Sequence, residues 1–369
     1  MIAAQFKAAM TAADTTRPIT ANTEWSVGSS DTLTNILDVM TTSYNYASYE
    51  NYHRHHPFRP FMGGESASCI GDRGFYAPTN LTAGLVNSDA SPACVAAAWG
   101  AAASTEWASG NVAWTGFDYK GEPGPASWPS VSSHFGTCDI AGFEKDRAAY
   151  YKSWWLPTGA TMIHLAPQDW TAPVPLGMPV RVYAFTSAAW AEAFLNGISL
   201  GRVQVPRWGY ADWGSANFTG GNLTAVAYDA SGREVARDSV LPVGPPAALV
   251  LTLEDSQGLP YLADGADVAL VRCAVVDASG TLVPGAAPLL TFSVLGPGSV
   301  YGVGNGNPAD LTSDKVGQAD LPFGGVWARR AFMGLARAIV RTAAGQPGNI
   351  TLTATSPGLS PGQVSFVST

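Results

Sequence analysis

Residues 59–76 read RPFMGGESASCIGDRGFY. A short apolar run passes into two glycines, a lone glutamate and then small polar residues, the signature of a strand reaching its end. Glu65 therefore stands at a strand tip, with Gly63 and Gly64 removing side-chain bulk behind it. A surface glutamate needs no such setting. A carboxylate aimed at a substrate does, and that chemistry ordinarily employs a second acid.

Outward from this stretch, "PITANT" (18–23), "NILDVMTTSYNY" (35–46) and "NVAWTGFDY" (111–119) are further runs of strand length. Between Glu65 and the last of them lies the Ala-rich "SPACVAAAWGAAASTEWA" (91–108), a predicted helix with Pro92 near its start and Gly110 past its end. Strands alternating with helices imply a parallel sheet covered by helices. The opening "MIAAQFKAAMTAADTTRP" has no long apolar core of the signal-peptide kind and reads as the tail of a helix ending near Asp14.

After "WWLPTGA" (154–160) the pattern changes to short alternating runs: "PVRVYAF", "EAFLNGISLG", "LTAVAYD" and "REVARDSVLPV", joined by Asn-Gly, Gly-Gly and Ser-Gly turns. "VGPPAA" (243–248) is a linker, since consecutive prolines block helix and central strand alike. A second all-β pattern comes next, in "ALVLTLE", "DVALVRCAVVD", "LLTFSVLG", "RAIVRTAA" and "NITLTATS". The expected division is 1–157, 160–243 and 247–369.

The chain has 369 residues, 46% hydrophobic and 13% charged, as in a well-buried globular protein. A net charge of −8 with no basic run excludes a nucleic-acid partner, and no stretch of about 18 apolar residues offers a membrane span. Cys69, Cys94, Cys138 and Cys273 lack CxxC spacing, so zinc is not expected; a disulfide framework is not expected either, although one bridge is compatible with the spacing. Sequons stand at Asn80, Asn217, Asn222 and Asn349. "YHRHHP", with His53, His55 and His56, has no carboxylate at ligand spacing and is read as a loop or helix start, not a metal centre. "GVGNGNP" (302–308) lacks the Lys-Ser/Thr of a phosphate loop and reads as a turn, so no cofactor is expected.

Taken in order, "TSYNY", "FMGGESAS…RGFY", "WTGFDYKGEP", "SSHFGTCDIAGFEKDRAAYYKSWW" and "MIHLAPQDW…AEAFLNGISLG" make the chain resemble glycoside hydrolase family 2, most of all its β-galactosidase-like members. "TFSVLGPGSVYGVGNGNP" and "RRAFMGLARAIVR" resemble the immunoglobulin-like domain that ends many of them. The resemblance implies strands five to eight of a (β/α)₈ barrel, with its site at their C-terminal ends, succeeded by two immunoglobulin-like sandwiches. It implies a retaining exo-β-glycosidase acting on a β-galactoside-type carbohydrate, with glucuronidase and mannosidase members sharing the scaffold.

Residue by residue, it makes Glu65 the nucleophile and Tyr46 the phenol that orients it, with Tyr44 more readily assigned to packing. Trp114 becomes the floor of the sugar site. Asn45, Asp118 and Glu122 could meet sugar hydroxyls, the two acids alternatively pairing with Lys120. The glycines at 63 and 64 would leave room for the sugar ring.

The family's acid/base glutamate comes after an asparagine at the end of strand four, and this sequence has no Asn-Glu pair. Glu24 lies on the predicted strand five and does not match it. The expectation is that the acid and the first half of the barrel belong to sequence preceding Met1, and that the chain alone does not turn over substrate. The alternative is a non-catalytic carbohydrate-binding remnant of such an enzyme.

Overall fold

The computed structural model describes residues 2–22, 35–88, 91–157, 159–168, 176–254, 258–315 and 326–369. It opens on the helix Ile2–Ala13, as the sequence predicts. Strands β1 (Met40–Thr42), β2 (Phe61–Ser66) and β3 (Ala108–Ala113) then form a parallel three-stranded sheet in that order. The helix Tyr49–His55 connects β1 to β2, and Ser91–Ala103 connects β2 to β3. The second helix buries Val95, Ala98 and Ala102, the three- and four-residue spacing of one helix face.

The predicted strand at 18–23 is not seen in its described part: Pro18 to Asn22 form no ladder, and Thr23 lies outside the described residues. Pro18 has no N–H, and side chains of the neighbouring segment take the backbone groups a ladder would use. Asp38 Oδ2 accepts the Ile19 N–H at 2.9 Å, and Thr41 Oγ1 donates to the Ala21 carbonyl at 2.5 Å. Gly110, expected past the helix, sits inside β3 at φ +134°.

Cys69 and Cys94 form a disulfide, Cα to Cα 5.6 Å, joining the segment after β2 to the start of the Ser91–Ala103 helix, while Cys138 and Cys273 are thiols. It closes a loop of 25 residues. Converting both cysteines to serine is expected to cost about 3.5 kcal/mol of stability through the freer unfolded chain, read as a lower urea midpoint. Equal midpoints with and without reductant would refute this.

The rest of the chain builds two pairs of antiparallel sheets. In the first pair, β4 (His164–Ala166), β5 (Pro179–Phe185) and β8 (Ala211–Asn217) face β6 (Trp190–Leu195), β7 (Ile198–Gln204), β9 (Leu223–Tyr228) and β10 (Glu234–Val240). Every second residue of β5 and β9, Val180, Val182 and Ala184 with Leu223, Ala225 and Ala227, fills the core between them. Asn196 and Gly197, at φ 52° and 79°, make the predicted tight hairpin turn.

In the second pair, β11 (Ala248–Leu253), β12 (Val268–Val276), β14 (Gly298–Gly304) and β16 (Leu335–Thr342) form one sheet. The other holds β13 (Leu289–Leu295), β15 (Ala328–Arg330), β17 (Gly348–Thr355) and β18 (Gly362–Ser368). Val271, Cys273, Leu290, Ile350 and Leu352 are sealed between them. The glycine-rich stretch expected as a turn begins as the end of β14, and only the part beyond Gly304 is loop.

Candidate active site

Glu65 is the penultimate residue of β2, paired in register with Val112. Register irregularities fall on both sides of Gly63, between Phe61 and Gly63 and between Gly63 and Glu65. Such irregularities re-aim side chains at a sheet's rim, and here they precede the carboxylate. Its carboxylate is half-buried and accepts a hydrogen bond on Oε2 from the Tyr44 hydroxyl at 3.0 Å, which also lies 2.8 Å from Ser68 Oγ. Tyr44 takes φ 58° just beyond β1, and its N–H donates to the Glu65 carbonyl at 2.7 Å. Burial, with the Glu65 charge adding to it, pushes the Tyr44 phenol up to about 12, so it stays protonated and acts as donor.

Tyr46, expected in that role, is turned elsewhere. The short 3₁₀ turn Tyr46–Ser48 carries it into an edge-on contact with Tyr49, centroids 6.5 Å apart, and its oxygen takes the Ala67 N–H. Asn45 is exposed at the start of the same turn.

The glycines do not open space for a sugar. A Cβ on Gly63 would meet the Tyr49 hydroxyl and lie 2.6 Å from Asn111 Cβ on the neighbouring strand. One on Gly64 would strike the Asn22 amide, whose oxygen accepts from Ser43 Oγ at 2.6 Å and from the Glu65 N–H at 3.3 Å. Both glycines permit close packing beneath the rim. Gly63→Ala, opposed by a strand, is expected to destabilise by about 1–3 kcal/mol and more than Gly64→Ala, opposed by a side-chain end. Equal urea midpoints for the two variants would contradict that ranking.

Trp114 is the first residue past β3, and its N–H donates to the Ser66 carbonyl at 2.6 Å, one residue from Glu65. Its indole Nε1–H donates to the Tyr119 hydroxyl at 3.2 Å, and Tyr119 donates in turn to the Glu122 carboxylate. The rings of Trp114 and Tyr119 meet edge-on, 6.0 Å apart. Glu122 is exposed. Sequence reasoning misses Tyr119, although its place five residues after Trp114 is visible there.

A family model, glycoside hydrolase family 2 C-terminal domain 5, matches residues 259–365, and a domain of unknown function matches 177–236. A β-galactosidase of Bacteroides ovatus is 33% identical over 373 residues, spanning 94% of this chain and 41% of that protein. The chain belongs to glycoside hydrolase family 2. A putative β-glucuronidase of Formosa agariphila is 34% identical over 58% of the chain and 21% of its own length. This family 2 chain thus spans less than half of either relative. Among solved structures, a family 2 member from Bacteroides cellulosilyticus superposes with a TM-score of 0.79 at 22% identity, over all of this chain and 47% of that one. A β-glycosidase from Bacteroides vulgatus gives 0.78 at 23%, over 99% and 49%.

Asp118 is not on the family 2 chain's rim. It is buried, 2.5 Å from Lys145 Nζ, with the Gly136 N–H on its other oxygen. Burial pushes its carboxyl up and drives the Lys145 ammonium down to about 8, both toward their neutral forms and against their mutual attraction. Lys145 and Arg147 both donate to the Gly71 and His134 carbonyls. His134 lies between Asp72 (2.7 Å) and Ser130 (3.1 Å) in a hydrolase-like order. All three are sealed from solvent, however, so this is a satisfied core histidine and not a nucleophile site.

The three clustered histidines diverge. His53 stacks on Trp107 at 4.3 Å, His56 packs on Tyr52, and His55 bonds the Asn51 carbonyl. Glu24 lies outside the described residues.

Proposed function

We propose that this chain supplies the nucleophile side of a retaining exo-β-glycosidase site, on the second half of a (β/α)₈ barrel backed by two immunoglobulin-like sandwiches. The Tyr44–Glu65 hydrogen bond beside Trp114 carries this reading. With Tyr44 holding Oε2, Glu65 Oε1 attacks the anomeric carbon. The glycosidic bond breaks, its oxygen takes a proton from a carboxylic acid outside the described residues, and a glycosyl ester forms on Glu65. Water, deprotonated by the same acid's conjugate base, then cleaves the ester. Trp114 offers an indole face to the apolar side of the sugar, with Tyr119 fixing its tilt.

A galactoside-type neutral sugar fits better than a glucuronide. Two cations on the segments that carry the site are both committed: Arg73 is buried against Asp139 at 2.6 Å, and Lys120 pairs with Asp314 at 2.8 Å. The relative that spans 94% of the chain is a β-galactosidase.

The test is trapping with 2,4-dinitrophenyl 2-deoxy-2-fluoro-β-galactoside, whose leaving group needs no proton. Mass mapping is expected to find the fluorosugar on the peptide carrying Glu65. A label elsewhere, or faster labelling by the fluoroglucuronide, refutes the assignment. No label together with retention on a galactan column would favour the carbohydrate-binding remnant.

A further inference from the structure

We infer that the glycine-rich segment 302–315 of the second sandwich, the end of β14 and the loop beyond it, is a positioning element of the candidate active site, a reading that rests on the function proposed above. The loop is built around Arg329, 1% exposed, which donates to the Val303, Thr312 and Ser313 carbonyls and to Asp310 and Asp314, at 2.8–3.1 Å. A guanidinium with both terminal nitrogens spent on one segment fixes that segment's shape.

The loop presses on both segments that carry the site. Eight residues beyond Glu65, Arg73 reaches across to the Asn305 carbonyl (3.0 Å) and, beside the loop, to the Phe332 carbonyl (2.8 Å). It is held between the Phe143 and Phe332 rings at 5.0 and 5.5 Å. Gly306, at φ +83°, abuts Asp139, the carboxylate that holds Arg73, so closely that a Cβ there would overlap it. The Pro308 carbonyl accepts the Val131 N–H at 2.9 Å, and Asp314 pairs with Lys120.

Val131 and Lys120 belong to the hairpin-like excursion after β3. Gly121 N–H donates to the Val131 carbonyl, and Ser133 N–H to the Tyr119 carbonyl, both at 2.8 Å. That excursion carries Tyr119 and Glu122, and through Tyr119 it sets Trp114. The Gly-x-Gly pattern therefore serves a close approach between two regions of the chain.

The experiment compares the full chain with Gly306→Val, a wedge against Asp139, and Lys120→Met, which removes an exposed ion pair. Hydrogen exchange of amides 119–133 and the limiting rate of fluorosugar trapping are measured against the inhibitor's saturation constant. Gly306→Val is expected to speed exchange and slow the limiting rate, each by about 10-fold, since small displacements at a site are costly. Lys120→Met should give about 2-fold in the same directions. Exchange unchanged in both variants overturns the inference. If the unmodified chain is not trapped at all, the proposed function fails, and exchange alone still decides the brace. Should Gly306→Val not fold, Lys120→Met decides it.

Discussion

Glu65→Gln is expected to slow covalent trapping by the dinitrophenyl fluorogalactoside by about 10⁴-fold or more, the scale on which loss of a nucleophile is felt. Glutamine keeps the shape of glutamate and can still accept the Tyr44 hydroxyl, so the urea midpoint should hold while the chemistry goes. Tyr44→Phe is expected to slow trapping about 10–100-fold, the value of a hydrogen bond to an ionised group. Tyr46→Phe should fall within about 2-fold of the parent, because its ring packs on Tyr49 and does not reach the carboxylate. Persistent labelling of Glu65→Gln removes the nucleophile assignment. A larger effect at Tyr46 than at Tyr44 reverses the assignment of the orienting phenol.

Asp118→Ala is expected to cost about 3–5 kcal/mol in urea unfolding, because it strands a buried Lys145 without its partner. The trapping saturation constant should be unaffected in the fraction that remains folded. The pH dependence has a definite sign. With Lys145 held at about 8 in the fold against 10.5 when exposed, the unfolded chain binds more protons between those values. Stability from this group therefore rises as pH climbs through that window. Lys145→Met should lose that rise relative to the parent. If Asp118→Ala melts like the parent and instead weakens sugar binding, the carboxylate lies on the rim after all.

A feature is legible in sequence to the extent that its signal is local. Alternation with period two locates most sandwich strands, and Asn196–Gly197 marks its hairpin, because those patterns lie within a few residues. The end of β14 reads as a turn because its glycines erase the alternation, although it pairs along β16. The stretch 18–23 looks like a strand from composition, and only the placement of Asp38 and Thr41 shows why no ladder forms.

Glu65 and Trp114 stand where their motifs put them, at the ends of β2 and β3. The choice between Tyr44 and Tyr46 is not available from sequence, since it depends on Tyr44 entering φ 58° and reversing the chain. Asp118 looks like a rim acid beside Lys120; its partner Lys145 lies 27 positions away, beyond the reach of pattern. The purpose of Gly63 and Gly64 is likewise hidden in Asn22, Tyr49 and Asn111, which fill the space they leave.

The Arg73 clamp also bears on how such chains can be recombined. The proline-rich seam at 243–248 is where a cut by sequence would separate the last sandwich, and covalently it is a clean joint. The last sandwich is also held elsewhere, by a guanidinium, two phenylalanine rings and a glycine that touches a carboxylate. A chimaera that crosses over at the prolines and imports a foreign sandwich would carry over the hinge but not the lock. To inherit a working rim, a graft has to exchange loop 302–315 together with Arg73, Asp139 and the excursion bearing Lys120 and Val131. In this chain the heritable module is an interface drawn from three separate stretches of sequence.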